Sequence, residues 1–189
     1  MDKFSKIGRS KTSAEDKDEV LYSGERFKIV KYDGWSIIKE PNYVSCIIYL
    51  IEMNQIVLRH EYIPTYKYNE GQDYHITCIS GSIEDGETPE KALVREIEEE
   101  AGIVISPSFK FEFMKPVYLC KGSVSKIYPC IIQLSERDYH EIVAKGDGSR
   151  AEKLSKSIKV DVKYINSVVT SDLITELLLD RVKGYLNIR

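Results

Sequence analysis

Residues 44–50, VSCIIYL, are apolar at every position but Ser45. Successive side chains of a strand point to opposite faces, so a run of this kind leaves no face for water. Such a strand belongs inside a sheet that is covered on both sides. The flanking sequence supplies the rest of that architecture. Runs at 26–32 and 35–39 are joined by Asp33-Gly34, the dipeptide of a tight hairpin. Further strands are expected at 56–62, 74–80, 109–114, 126–134 and 158–164. Three helices are expected. One spans 89–101, opened by Thr88 and Pro89 and closed by Gly102; one spans 136–144, with Ser135 and Asp138 as its capping pair; an amphipathic one spans 172–186. Residues 64–73 and 145–157 read as exposed loops, and 1–19 as a disordered lead-in. The expectation is an α/β fold, with an antiparallel β-meander over 20–43 and a sandwich domain with a mixed sheet over 44–189.

With 189 residues, 42% hydrophobic and 30% charged, the chain has the make-up of one ordinary globular domain. A formal charge of -3 gives no global attraction for nucleic acid, so a phosphorylated ligand has to be met by local cations. Cys46, Cys78, Cys120 and Cys130 form no CxxC pair and read as reduced thiols. The N-terminal residues hold no apolar signal core, and the apolar stretch 44–53 is too short to span a bilayer. The expectation is a cytoplasmic protein without nucleic-acid or membrane partners.

The chemistry concentrates in residues 81–103, GSIEDGETPEKALVREIEEEAGI, with eight acidic side chains against two basic ones. At about 100° per helical residue, Glu96, Glu99 and Glu100 project from one arc roughly 100° wide. Leu93, Val94, Ile97 and Ala101 occupy the next arc, which must face the core, while Lys91 and Arg95 are expected to point elsewhere. Carboxylates crowded in this way repel one another. Divalent cations relieve that repulsion, and all-oxygen ligation suits Mg²⁺ or Mn²⁺ rather than zinc.

Gly81, Glu87, Arg95, Glu96, Ile97, Glu99, Glu100, Gly102 and Ile103 also fill, in order, the pattern G-x5-E-x7-R-E-U-x-E-E-x-G-U, where U is aliphatic. On these residues the chain resembles the Nudix hydrolases. The resemblance implies a loop–helix–loop carried on an α/β/α sandwich, with Glu96, Glu99, Glu100 and the Ser80 carbonyl as metal ligands. It gives Glu87 and Arg95 a structural role in tying loop to helix, alongside the turn glycines Gly81 and Gly102. The implied reaction is attack by a metal-activated water on a pyrophosphate phosphorus.

Outside this box the chain is similar to the ADP-ribose pyrophosphatase and nucleotide-sugar branch, over roughly residues 20–186. In that branch the N-terminal meander packs across a homodimer. The implied substrate is a nucleoside diphosphate linked to another group, cut to a nucleoside monophosphate and a phosphorylated remainder. Two other readings stand beside it: a dinucleoside polyphosphate or modified nucleoside triphosphate hydrolase, and a non-catalytic nucleotide-binding module. Tyr62 stands where the branch has an arginine, Ile76-Thr77-Cys78-Ile79-Ser80-Gly81 replaces its W-E-L-P-A-G, and Cys120-Lys121-Gly122 replaces its S-P-G turn. Lys121, Arg59 or His60 are candidates to compensate. Tyr118 is read either as strand-end packing or as a base-stacking ring. For the general base, Glu152 is the glutamate left in the loop before the last strand, with Glu99 or Glu100 as the competing choice.

Overall fold

The structure, a computed structural model, describes residues 19–188; the expected lead-in falls outside them except for Glu19, which already opens a strand. In chain order come β1 (Glu19–Ser23), β2 (Lys28–Tyr32), β3 (Trp35–Lys39), β4 (Tyr43–Leu50) and β5 (Gln55–Tyr62). Then follow α1 (Pro64–Glu70), β6 (Tyr74–Thr77), β7 (Ile79–Ser82), and α2 (Pro89–Glu96) with a π-helical last turn at Ile97–Ala101. The remainder comprises β8 (Ile103–Ile105), β9 (Val117–Tyr118), β10 (Lys126–Leu134), β11 (Tyr139–Glu141), α3 (Arg150–Leu154), β12 (Lys156–Asp161), a 3-10 segment at Val162–Ser167, and α4 (Leu173–Tyr185).

The all-apolar run is central, as its pattern requires. β4 pairs in parallel with β10, from Tyr43 opposite Ile127 to Leu50 opposite Leu134, and antiparallel with β5 and β7. Its alternate side chains feed two cores. Val44, Cys46, Ile48 and Leu50 meet Ala92, Leu93 and Ile97 of the α2 segment on one face. Ile47 meets Leu178, Leu179 and Val182 of α4 on the other. The result is the α/β/α sandwich with a mixed sheet. β1, β2 and β3 form a separate antiparallel sheet, with the Asp33-Gly34 turn at positive φ as a two-residue hairpin demands. No helix among the described residues is long and apolar enough to cross a membrane.

Several segments depart from expectation for local reasons. Residues 64–70 are helical because Pro64 presets the first turn and Gly71, at φ 72°, terminates it; the helix buries none of its residues. The run 74–80 is two strands, since the chain changes partner at Cys78 from β5 to β4. The Cys78 N–H, left out of both ladders, donates to Thr175 Oγ1 at 2.7 Å. Residues 109–114 are not a strand: Pro129 has no N–H to extend a ladder there, and pairing stops at the single Phe113–Cys130 bridge. The expected helix at 136–144 is absent. Asp138 accepts from both the N–H and the hydroxyl of Ser135, closing a turn, and Tyr139–Glu141 then pair with β8. Residues 145–157 contain α3, capped by Ser149, and the last strand ends at Asp161.

Candidate active site

The α2 segment starts and stops where its sequence dictates. Thr88 Oγ1 accepts the Lys91 N–H, Pro89 occupies the first turn, and Gly102 adopts a left-handed φ of 64°. The last turn widens to π-helical geometry, a distortion that concentrates at functional sites. The Glu100 carbonyl, one of the orphan acceptors at this helix end, receives Arg59 Nη1 at 3.0 Å and Ser157 Oγ at 2.8 Å.

That helix end presses into a fork in the sheet. β5 pairs with β4 only up to Val57 opposite Ile48; beyond it β5 turns to β6, while β7 takes over β4. Arg59 is the first β5 residue past the split on the α2 side. It is only 2% exposed, and its guanidinium meets Glu100 Oε1 at 3.3 Å and Glu152 Oε1 at 2.9 Å. Ser80, on β7, donates its N–H to Glu100 Oε2 at 3.2 Å.

Two expectations are corrected here. Glu96 and Glu100 do not stand on an arc separate from the core: they are 8% and 7% exposed, turned toward the sheet. Nor does Arg95 point away. Its Nη1 lies 2.6 Å from Glu96 Oε1 and 3.3 Å from Glu99 Oε2, while Nε and Nη2 grip the Glu87 carboxylate at 3.2 and 3.1 Å. A guanidinium on a long stem reaches around the helix to opposite charge, which an angular projection of Cβ positions does not capture. Arg95 thus joins loop to helix through Glu87 and also neutralises part of the carboxylate face.

Burial is the main influence on these acids. It lifts Glu96 from the usual 4.5 to about 7, against the opposing pull of Arg95. Burial likewise lifts Glu100 well above the ordinary carboxylate range, against Arg59. A folded state that keeps protons which the unfolded chain releases is destabilised as pH rises. As pH rises above 4.5 the metal-free protein is therefore expected to lose stability, the share that Glu96 contributes being lost by about pH 7. Thermal melts at pH 5 and pH 8 in chelator check this: a higher midpoint at pH 5, with the gap closed by divalent metal at pH 8, is the expected result. Equal midpoints in chelator would contradict it.

The donors suit a hard divalent cation in kind: Glu96, Glu99, Glu100 and Glu152 offer carboxylate oxygen only. Gly81 supports the same conclusion, because a Cβ there would lie 1.8 Å from the Glu96 carboxyl carbon, so the carboxylate fills a space only glycine leaves. Among the described residues no three acidic, His or Cys side chains converge on a common point, since the two arginines occupy the space between them. Binding a cation at this site requires Arg95 to cede Glu96 and Glu99. Gly81→Ala is expected to fold, because only the end of a flexible side chain has to move, yet to weaken Mg²⁺ or Mn²⁺ binding at least tenfold by calorimetry. Unchanged affinity would show that Glu96 is not a ligand.

Glu99, Glu100, Arg59, Glu152 and Ser157 line a cavity of about 460 Å³, with the Gly146 N–H holding the Glu99 carbonyl at 3.0 Å. The other candidates are elsewhere. Tyr118, 65% exposed, lies at the β9 edge with Lys126 Nζ 5.3 Å from its ring centre, and exposed Lys121 follows in the next turn. Tyr62 packs edge-on to Tyr74, and His60 stacks on that same ring, on the face of β5 opposite Arg59. Sequence reasoning missed Glu61, which shares the Arg59 face and accepts from Thr77 Oγ1 at 2.6 Å. Its signal was the two-residue spacing from Arg59 on a strand.

A model of the NUDIX domain family matches residues 41–139. Among solved structures, that of an ADP compounds hydrolase aligns with a TM-score of 0.59 at 17% identity, covering 93% of this chain and 97% of that one. At that identity the likeness is one of fold. No curated protein matches the sequence.

Proposed function

The chain belongs to the Nudix family of hydrolases, and we propose that it cuts the pyrophosphate of a nucleoside diphosphate linked to another group. The products are a nucleoside monophosphate and a phosphorylated remainder. One observation carries the reading: Glu99 and Glu100, in the last turn of the helix that also carries Glu96, line an open cavity at the sheet fork together with Arg59 and Glu152, and Arg59 pairs with Glu100 and Glu152. The similar solved structure is an ADP compounds hydrolase, which favours an ADP-linked substrate such as ADP-ribose or a nucleotide sugar.

In this reading Glu96, Glu99 and Glu100, with the Ser80 carbonyl, hold Mg²⁺ or Mn²⁺. A cation held there would lower the pKa of water and offset charge on the phosphate oxygens. The chain's own groups do the positioning. Arg59 fixes Glu152 through Oε1, which leaves Oε2 to take the proton of the attacking water. Arg59 also holds the helix end at the Glu100 carbonyl, so Glu100 and Glu152 keep one relative position. Glu87, gripped by Arg95 and accepting the Glu84 N–H, fixes the loop that enters the helix. A homodimer formed through the β1–β3 sheet and a cytoplasmic location belong to the same reading.

The test is a panel of nucleoside diphosphate derivatives, dinucleoside polyphosphates and nucleoside triphosphates incubated with Mg²⁺ or Mn²⁺. Products are identified by mass, and ¹⁸O-labelled water locates the attacked phosphorus. A nucleoside monophosphate from ADP-ribose or an ADP-sugar is the expected product. Turnover of none of the panel, with nucleotides still bound, would instead indicate a binding module.

A further inference from the structure

Beside the 460 Å³ cavity lies a larger cleft of about 810 Å³, and the two share Glu99, Lys145 and Gly146. One wall is the outer side of α2 at Val94. The opposite wall is the irregular segment after β8, which carries Phe109 and Phe111. The two rings meet edge to face, 5.2 Å between centres at 66°, and both pack down onto the α2-side core while remaining part-exposed. Lys91, Lys110, Lys145 and Arg95 line the cleft together with Glu90, Glu98 and Glu99, and none of the three lysines makes an ion pair with another described residue. An apolar aromatic wall, unpaired ammonium groups and a volume in the small-ligand range describe a site for a planar, apolar-faced group carrying negative charge.

We propose that this cleft binds the base-bearing half of the substrate, with the planar base against Phe109 and Phe111 and the phosphates passing Lys145 toward Glu99. The proposal rests on the nucleotide reading above and adds where the nucleoside sits and what selects it. Three features support it. The cleft is continuous with the carboxylate cavity through Glu99 and Gly146, so one extended ligand reaches both. The Gly146 N–H bond to the Glu99 carbonyl keeps Lys145 at that junction. Phe109 and Phe111 lie outside any strand, and both line the cleft while keeping part of their surface exposed. Ring stacking tolerates any base, so the site selects for the presence of a base more than for its identity.

The test titrates AMP and ribose 5-phosphate separately into the full-length chain by calorimetry, without divalent metal. Wild type is expected to bind AMP more tightly than ribose 5-phosphate. Phe111→Leu, which keeps apolar bulk but removes the ring face, is expected to weaken AMP about tenfold and leave ribose 5-phosphate unchanged. Lys145→Ala is expected to weaken both. Phe109→Leu serves as the parallel variant should Phe111→Leu melt early. Equal affinity of wild type for the two ligands, no detectable AMP binding, or AMP affinity indifferent to both ring variants would each overturn the site. Hydrolysis separates the two levels. If wild type cuts ADP-ribose with a kcat/KM that Phe111→Leu and Phe109→Leu leave unchanged, the cleft assignment fails and the pyrophosphatase reading stands. If AMP binding depends on the rings but no pyrophosphate is cut, the cleft stands and the pyrophosphatase reading fails.

Discussion

Glu99→Gln is expected to leave the fold intact and to lower kcat/KM by on the order of a hundred- to a thousandfold, the scale of losing one well-placed electrostatic group in a catalytic site. Two features make Glu99 the cleanest probe. Its side chain is 31% exposed, and its one ion pair among the described residues is the 3.3 Å contact with Arg95, which Glu87 and Glu96 hold independently. A pair of that kind contributes roughly 0.2–1 kcal/mol to stability, too little to account for a large rate effect through unfolding. Glutamine keeps the shape and removes the charge needed to hold a divalent cation. The readings are kcat/KM at saturating Mg²⁺, Mg²⁺ affinity by calorimetry, and the melting midpoint. Full turnover with an unchanged midpoint would remove Glu99 from the catalytic centre.

Arg59→Met is expected to produce the largest loss of stability, about 3–5 kcal/mol, because it leaves a buried charge without its partner. Arg59 is 2% exposed and bridges Glu100 and Glu152, whose positions in the sequence are far from its own. Methionine fills similar volume, so the loss reflects charge and hydrogen bonding more than a cavity. It also leaves the Glu100 carbonyl with Ser157 Oγ as its remaining side-chain donor. Urea unfolding in chelator measures the loss. Because a divalent cation supplies positive charge at the same carboxylates, saturating Mg²⁺ is expected to recover part of it. A loss below about 1 kcal/mol in chelator would place this ion pair among ordinary surface pairs.

Much of this site was legible in the sequence, and the reason differs from residue to residue. Thr88, Pro89 and Gly102 bound the helix because capping acts within a few residues of backbone. The 44–50 run specified a strand covered on two faces, and β4 occupies that place. The 136–144 stretch failed for an instructive reason: Ser135-x-x-Asp138 satisfies a capping pattern and a turn equally well, and the unpaired edge of β8 decided in favour of the turn and a short strand. Glu61 was passed over because a glutamate on a strand reads as an ordinary exposed residue until its neighbours on that face are known.

The sequence by itself determined the helix between its caps, the central strand, and which residue types crowd together on the helix, since each of these follows from interactions between near neighbours along the chain. Only the tertiary structure decided which way the carboxylates face and what neutralises them. Arg59 reaches a carbonyl 41 positions later and a carboxylate 93 positions later, and Ser157 reaches back 57 to the same carbonyl. Contacts across such separations exist only once the sheet has forked and the helix end has seated in the fork, and no periodicity in the chain encodes them.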